Sequence, residues 1–147
     1  MATRSTIALE YADGTVDQVY CHWDGYIDHN GKILFEHYKD PFKVQKLMDL
    51  GDISSLGSDI GEAHDFDDRS QTGIATTFYG RDRGETGVEA RRFKSFEDYK
   101  ANHQYEEYEY ILRCDGNWYV CQYEKGYALL SEAIENEVIE QLIAEDA

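Results

Sequence analysis

Basic residues are scarce in this chain. Its 147 residues include 14 Lys and Arg against 30 Asp and Glu, which gives a formal net charge of -16. Because nucleic-acid binding needs clustered Lys and Arg to neutralise phosphates, we expect no direct contact with nucleic acid. Disorder is disfavoured because 41% of the residues are hydrophobic and 14% are aromatic, which supplies material for a core. The length suits one unit, so we predict a single acidic domain over residues 1–147.

Long apolar runs are also missing. None approaches the roughly 20 residues that a membrane-spanning helix requires. The three cysteines follow no segment with the character of a secretory signal, so we expect free thiols in a reducing compartment. These features predict a cytoplasmic protein that does not contact a membrane.

The common signatures of catalysis and cofactor binding are absent as well. The sequence has no Cys-x-x-Cys, His-x-x-x-His or His-Glu-x-x-His spacing of the kind that zinc sites use. It also has no Gly-x-Ser-x-Gly, no Walker loop and no dinucleotide-binding glycine motif. We therefore predict no metal, no cofactor and no catalytic residue.

The periodicity of apolar residues indicates the fold class. Alternation predicts two hairpins around the Asp-Gly turns at residues 13–14 and 115–116, and one further strand at residues 74–79. Helical spacing predicts helices near residues 32–38, 41–50, 95–100 and 127–144. Residues 52–70 are predicted to form mostly loop. Together these patterns predict an α+β domain, with an antiparallel sheet of about five strands built from two hairpins and helices packed on one face.

The most distinctive segment is Tyr-Cys-His-Trp-Asp-Gly-Tyr at residues 20–26. If the strand continues through it, His22 and Trp23 face opposite sides of the sheet, and Trp23 is predicted to be buried. A metal site here is disfavoured by the ligand spacing. The favoured interpretation is the end of a strand followed by an Asp24-Gly25 turn.

Carboxylates concentrate in two regions, the loop at residues 52–70 and the polar side of the final helix. Spaced carboxylates can imitate a phosphate array and engage the basic cleft of another protein. The candidate residues for such a surface are Asp59, Glu62, Asp65, Asp67, Asp68, Glu132, Glu135, Glu137 and Glu140.

One local cluster of basic residues stands out, formed by Arg81, Arg83, Arg91, Arg92 and Lys94. It could grip a phosphate or carboxylate of a ligand, or it could pair with the surplus acids of the chain itself, which the composition favours. An alternative functional site would be a pocket for a small molecule or nucleotide, with binding or hydrolysis as its activity. Its residues would be His22, Asp24, Tyr26, Arg81 and Arg83.

Several segments resemble a family of small proteins from bacteriophages, prophages and bacteria. The similarity lies in residues 3–8 (TRSTIA), 20–26 (YCHWDGY) and 50–56 (LGDISSL), and more weakly in residues 78–85. Family members commonly have Pro after the Asp-Gly-Tyr, where this chain has Ile27. The resemblance implies a phage context without a fold or a mechanism.

Two hypotheses follow. The leading one is a non-enzymatic, phage-type anti-defence protein in the bacterial cytoplasm. It would inhibit a host nucleic-acid-handling protein by offering an acidic, DNA-mimicking surface to that partner's basic cleft. The alternative is the small-molecule or nucleotide pocket.

Overall fold

The structure is a computed structural model that describes residues 2–68, 70 and 73–137. Its strands are β1 (Ser5–Glu10), β2 (Val16–Cys21), β3 (Ile53–Ser55), β4 (Thr77–Phe78), β5 (Arg91–Phe93), β6 (Tyr108–Leu112), β7 (Trp118–Gln122) and β8 (Tyr127–Leu129). Its helices are a π-helical turn (Ile27–Gly31), α1 (Lys32–His37), α2 (Pro41–Leu50), α3 (Tyr79–Arg83), α4 (Phe96–Asn102) and α5 (residues 130–137). The predicted α+β class is confirmed.

The eight strands form one mixed sheet. Their order is β4-β3-β2-β1-β6-β7-β8, with β5 also pairing with β2. Both predicted hairpins are present, but the central pair of β1 and β6 is parallel. The prediction of about five antiparallel strands is therefore wrong in number and in direction. The three strands that were not foreseen, β3, β5 and β8, have only three residues each, which is too short to show alternation in a sequence. The strand predicted at residues 74–79 is present only as β4, at Thr77–Phe78.

A buried carboxylate links two short strands along one edge of β2. That edge pairs with β5 at Val16–Gln18 and with β3 at Cys21. Between these contacts, the backbone N–H of Tyr20 donates to Asp52 Oδ1 at 2.9 Å. Arg91 donates to both oxygens of Asp52, at 3.1 and 3.3 Å. Asp52 was predicted to lie in a loop, but it completes the hydrogen bonding of a strand edge.

Apolar side chains cover both faces of the sheet. Ile7 and Leu9 of β1 pack against α1 and α2 in the larger core cluster. Ala8, between them in sequence, packs on the opposite face with Phe93 and with Tyr99 of α4. Since both alternating sets of β1 are buried, each face of the sheet has a cover. The prediction that the helices pack on one face is therefore wrong.

The predicted helix boundaries hold for α2 and α4. The Asp40 side chain accepts from Phe42 N at 2.9 Å, and Gly51 ends α2 with a φ of 85°. Ser95 Oγ accepts from Asp98 N at 3.0 Å at the start of α4. Each helix therefore begins directly after a polar residue whose side chain accepts a hydrogen bond from an N–H group of the first turn.

The last predicted helix begins later than expected. Tyr127–Leu129 form β8, and the helix starts at residue 130. Leu130 is buried and Ile134 packs against the same core, as the apolar stripe predicts, while Val138 and Leu142 lie outside the described residues. No helix of the described chain is long and apolar enough to cross a bilayer.

Candidate functional site

The arginines of the predicted basic cluster are engaged within the fold. Arg81 donates to the backbone carbonyls of Ile60, Gly61 and Thr76, at 3.2, 2.8 and 2.8 Å. Its guanidinium also holds Asp82, whose carboxylate is fully buried. Arg81 thus clamps the loop after β3 onto the chain before β4, and its donors are used for structure.

The other arginines of that cluster have partners of the same kind. Arg92 binds both oxygens of Asp17, each at 2.9 Å, and Arg91 holds Asp52 as described above. Arg83 pairs with Glu85 and lies 4.4 Å from the centre of the Phe66 ring. Pairing with the chain's own acids, the favoured of the two roles, is therefore confirmed for these arginines.

Two of these carboxylate partners, Asp82 and Asp17, are held in the ionised form. Burial raises the pKa of Asp82, but hydrogen bonds from Arg81 and from the backbone of Phe78 and His64 outweigh that effect, so the pKa lies below its usual value. The same balance lowers the pKa of Asp17, where burial is opposed by Arg92 and by the Tyr11 hydroxyl. Each pair is therefore an ion pair at neutral pH.

The predicted acidic residues of the loop before β4 remain on the surface. Glu62, Asp65, Asp67 and Asp68 are exposed, and no Lys or Arg of the described residues lies within ion-pair distance of them. Asp59 is also exposed, at 3.8 Å from Lys43 Nζ. Among the described residues, this loop therefore presents four carboxylates without a basic partner, those of Glu62, Asp65, Asp67 and Asp68.

The described acidic residues of the last helix also lie on the surface or partly so. Glu132 and Glu135 of α5 are exposed, and Glu137 is partly exposed. Glu140 lies outside the described residues. Within residues 130–137, Glu132 and Glu135 thus face away from Leu130 and Ile134, as the predicted stripe requires, whereas Glu137 lies on the side of the stripe.

The distinctive segment at residues 20–26 leaves the sheet earlier than predicted. Strand β2 ends at Cys21, and the next two N–H groups, of His22 and Trp23, donate to the consecutive carbonyls of Ile53 and Ser54. The His22 and Trp23 rings are neighbours, with centroids 4.7 Å apart. Trp23 is 42% exposed, so its predicted burial is wrong.

A buried asparagine explains much of the same segment. Asn30 N donates to Asp24 O, and Asn30 Nδ2 donates to Trp23 O at 3.2 Å and contacts Cys21 Sγ at 3.4 Å. Asp24 has a φ of 56°, and a Cβ on Gly25 would meet the Ser5 side chain at 2.7 Å. The segment is thus built as a turn against a buried amide, which agrees with the structural interpretation.

The thiol within the segment has no feature of a nucleophile. Cys21 is fully buried, and burial raises its pKa to about 12. A thiolate would be strongly disfavoured there at neutral pH.

A cleft joins this turn to the acidic loop. It has a volume of about 300 Å³ and lies between Trp23 and Asp24 on one side and Phe66, Asp67 and Asp68 on the other. Ser54, Ser55 and Thr77 complete its lining. The structure therefore brings two predicted acidic residues next to an exposed indole and a third carboxylate.

The five residues of the alternative pocket are distributed differently. Of this set, Asp24 lines the cleft, while Arg83 lies behind its Phe66 wall. His22 Nδ1 is 2.7 Å from the Tyr20 hydroxyl, Tyr26 packs against His29, and Arg81 is bound to backbone carbonyls. These contacts do not favour a phosphate site, because the two guanidiniums are occupied.

Several residues of the cleft, and a buried His–Glu pair elsewhere, were not predicted from the sequence. Ser54, Ser55 and Thr77 of the cleft lie in short strands or beside them. His103 and Glu109 form a buried pair on the opposite face of the sheet. The one available hint of Glu109 was a charged residue at the second position of β6, between tyrosines and before Ile111 and Leu112.

No family model, no curated protein and no solved structure matches this chain.

Proposed function

We propose that this chain is a non-enzymatic binding protein that inhibits a host nucleic-acid-handling protein by occupying its basic cleft. The exposed carboxylates of the loop before β4 and of α5 would stand in for nucleic-acid phosphates. A phage-type anti-defence role in the bacterial cytoplasm remains the accompanying hypothesis.

One observation carries this proposal, namely how charge is divided between the interior and the surface. Four arginines pair with acids whose side chains are at most 11% exposed: Asp82, Asp52, Asp17 and Glu10. Glu62, Asp65, Asp67 and Asp68 are left without such partners among the described residues. Four basic groups are thus paired with interior acids, and the carboxylates between residues 62 and 68 keep negative charge on the surface that a basic cleft would attract.

The cleft beside Trp23 adds a favourable contact to this surface. An exposed indole next to Asp24, Asp67 and Asp68 suits a Lys or Arg side chain of a partner, through charge and through contact with the ring face. Tryptophan is also among the residues that contribute most to protein interfaces.

The experiment is a capture assay from bacterial lysate at low salt. The test variant combines Glu62→Gln, Asp65→Asn, Asp67→Asn and Asp68→Asn, which keeps side-chain shape and hydrogen-bond acceptors. The control removes the same charge elsewhere, with Glu36→Gln, Asp49→Asn, Glu89→Gln and Glu97→Gln, all at exposed positions.

We expect the native chain and the control to capture nucleic-acid-binding proteins that duplex DNA displaces, and we expect the test variant to lose them. Capture should also weaken steeply between about 50 and 300 mM salt, because exposed charges are screened. Equal capture by the test variant, or capture that DNA does not displace, would contradict the proposal.

A further inference from the structure

A row of polar side chains crosses the face of the sheet that α4 covers. Thr6 of β1 lies beside Glu109 of β6. Glu109 lies beside Cys121 of β7, which in turn lies beside Tyr127 of β8. Thr6, Glu109 and Cys121 are buried. Four adjacent strands thus place hydroxyl, carboxylate, thiol and phenol groups side by side in an otherwise apolar layer.

His103 covers this row from the end of α4. Its Nδ1 donates to the Tyr99 carbonyl, and its ring lies between those of Tyr99 and Tyr105, with centroids 4.3 Å from each. Its Nε2 is hydrogen-bonded to Glu109 Oε1. Both ring nitrogens of His103 are therefore engaged, and the second carboxylate oxygen of Glu109 is left out of this contact.

This layer contains buried polar atoms without a hydrogen-bond partner in the described chain. They include Thr6 Oγ1, Gln18 Oε1 and Glu109 Oε2. The Tyr99 and Tyr127 hydroxyls are close enough for each to affect the pKa of the other, and burial raises both pKa values. Glu109 Oε2 is the strongest acceptor among these atoms, and a fold rarely leaves such an atom unpaired without a reason.

A cleft reaches Glu109 from the surface. Its volume is about 410 Å³, and His103, Tyr105, Glu109, Glu124 and Tyr127 are among its lining residues. Lys100 also lines it, but its ammonium lies 3.4 Å from Glu97 and over the Phe96 ring. A shallower neighbouring cleft shares Tyr105 and Glu124 and adds Glu106, Glu107 and Tyr123. The entrance is therefore acidic and aromatic.

We propose that this cleft binds a small organic cation, whose ammonium or guanidinium group donates a hydrogen bond to Glu109 Oε2 and contacts the ring faces of Tyr105 and Tyr127. The acceptor at the base, the π faces of the walls and the carboxylates at the entrance all favour a cation with N–H donors. An anionic ligand would be repelled by these carboxylates and by the net charge of -16. The volume is in the range of small-molecule sites.

Isothermal titration with agmatine and putrescine tests this proposal, with butylurea as an uncharged analogue. We expect saturable binding of at least one of the two cations and none of butylurea. Glu109→Gln should weaken binding about tenfold or more, since it removes the charge and keeps the shape. Tyr127→Phe, which removes one hydroxyl, should weaken it less, and the distant Glu62→Gln should leave it unchanged.

A second measurement protects the result against misfolding of the Glu109 variant. The native protein, labelled with ¹⁵N, should show ligand-dependent shifts of the His103 ring nitrogens, because Nε2 is hydrogen-bonded to Glu109. Absence of binding and of His103 shifts at millimolar agmatine and putrescine would overturn the proposal, and the polar row would then be structural.

The two proposals fail separately. The variant with four neutralised residues between 62 and 68 should lose partner capture and keep cation binding. Glu109→Gln should lose cation binding and keep partner capture.

Discussion

At the scale of single residues, Trp23 shows where a strand pattern stops being informative. In a regular strand, successive N–H groups point to opposite sides. Here the N–H groups of both His22 and Trp23 bond to one segment, at Ile53 and Ser54. That partner is distant in sequence, so the alternation through Val19 and Cys21, both of which lie in the core, could not show that the strand ended at Cys21.

Replacing each tryptophan by alanine tests this difference. Trp118 is 5% exposed, and its Nε1 donates to Tyr38 O at 2.9 Å, whereas Trp23 is 42% exposed. We expect Trp118→Ala to reduce the free energy of unfolding by about 3 to 5 kcal/mol. Trp23→Ala should reduce it by about 1 kcal/mol or less, as is usual for a surface substitution. Urea denaturation measures both.

The same variant bears on function. If the cleft beside Trp23 contacts the partner, Trp23→Ala should weaken capture from lysate while leaving stability nearly intact. A stability loss as large as that of Trp118→Ala would contradict the exposed position of Trp23.

At the scale of secondary-structure elements, local patterns predicted the longer elements and missed the short ones. The hairpins β1–β2 and β6–β7 and the caps Asp40 and Ser95 could be read from neighbouring residues. The parallel pairing of β1 with β6 could not, because it joins segments about a hundred residues apart and leaves no local periodicity.

The candidate sites show the same limit. The exposure of the carboxylates near residues 62–68 followed from composition and turn residues. The pairing of His103 with Glu109 depends on α4 covering the second face of the sheet, which was not expected. Sites built from long-range pairing could not be predicted before the topology was known.

The cap at the start of α4 is expected to control how stably this helix packs on the second face of the sheet. Ser95 Oγ caps the helix, so Ser95→Ala should destabilise the protein by about 1 kcal/mol. Because α4 ends beside His103, amide exchange at Tyr99 and His103 should accelerate more than exchange in α2, which lies on the other face. Hydrogen-exchange NMR measures both effects.

Ser95→Asp serves as the control for this prediction. It keeps an acceptor for Asp98 N and adds negative charge at the helix start, so stability and exchange should stay near native values. Equal acceleration in α2 and α4 after Ser95→Ala would indicate global destabilisation and contradict the local role.

At the scale of the whole molecule, the acids serve two different purposes. Glu10, Asp17 and Asp82 are paired with arginines and have lowered pKa values in the folded state. The exposed acids add repulsion that weakens the folded state at low salt. The dependence of stability on pH should therefore have two parts of opposite sign.

We expect the free energy of unfolding at low salt to hold or rise slightly from pH 7 to about 5, as net negative charge begins to fall. Below that range it should decrease. The folded-state pKa values of Asp17 and Asp82 lie below the usual 3.8, so the unfolded chain binds more protons. The stability from these ion pairs is complete above the unfolded pKa and is lost as pH falls through the folded pKa. Urea titrations between pH 7 and 3 measure this profile.

Asp82→Asn isolates the interior contribution. It places an amide against donors from Arg81, Phe78 and His64, so stability at pH 7 should fall by about 2 kcal/mol. The variant cannot lose that ion pair on acidification, so its decline between pH 4 and 3 should be shallower than that of the native chain. Glu89→Gln, which removes an exposed charge, should keep the native decline. An acid decline in Asp82→Asn as steep as in the native chain would show that Asp82 does not contribute to acid sensitivity.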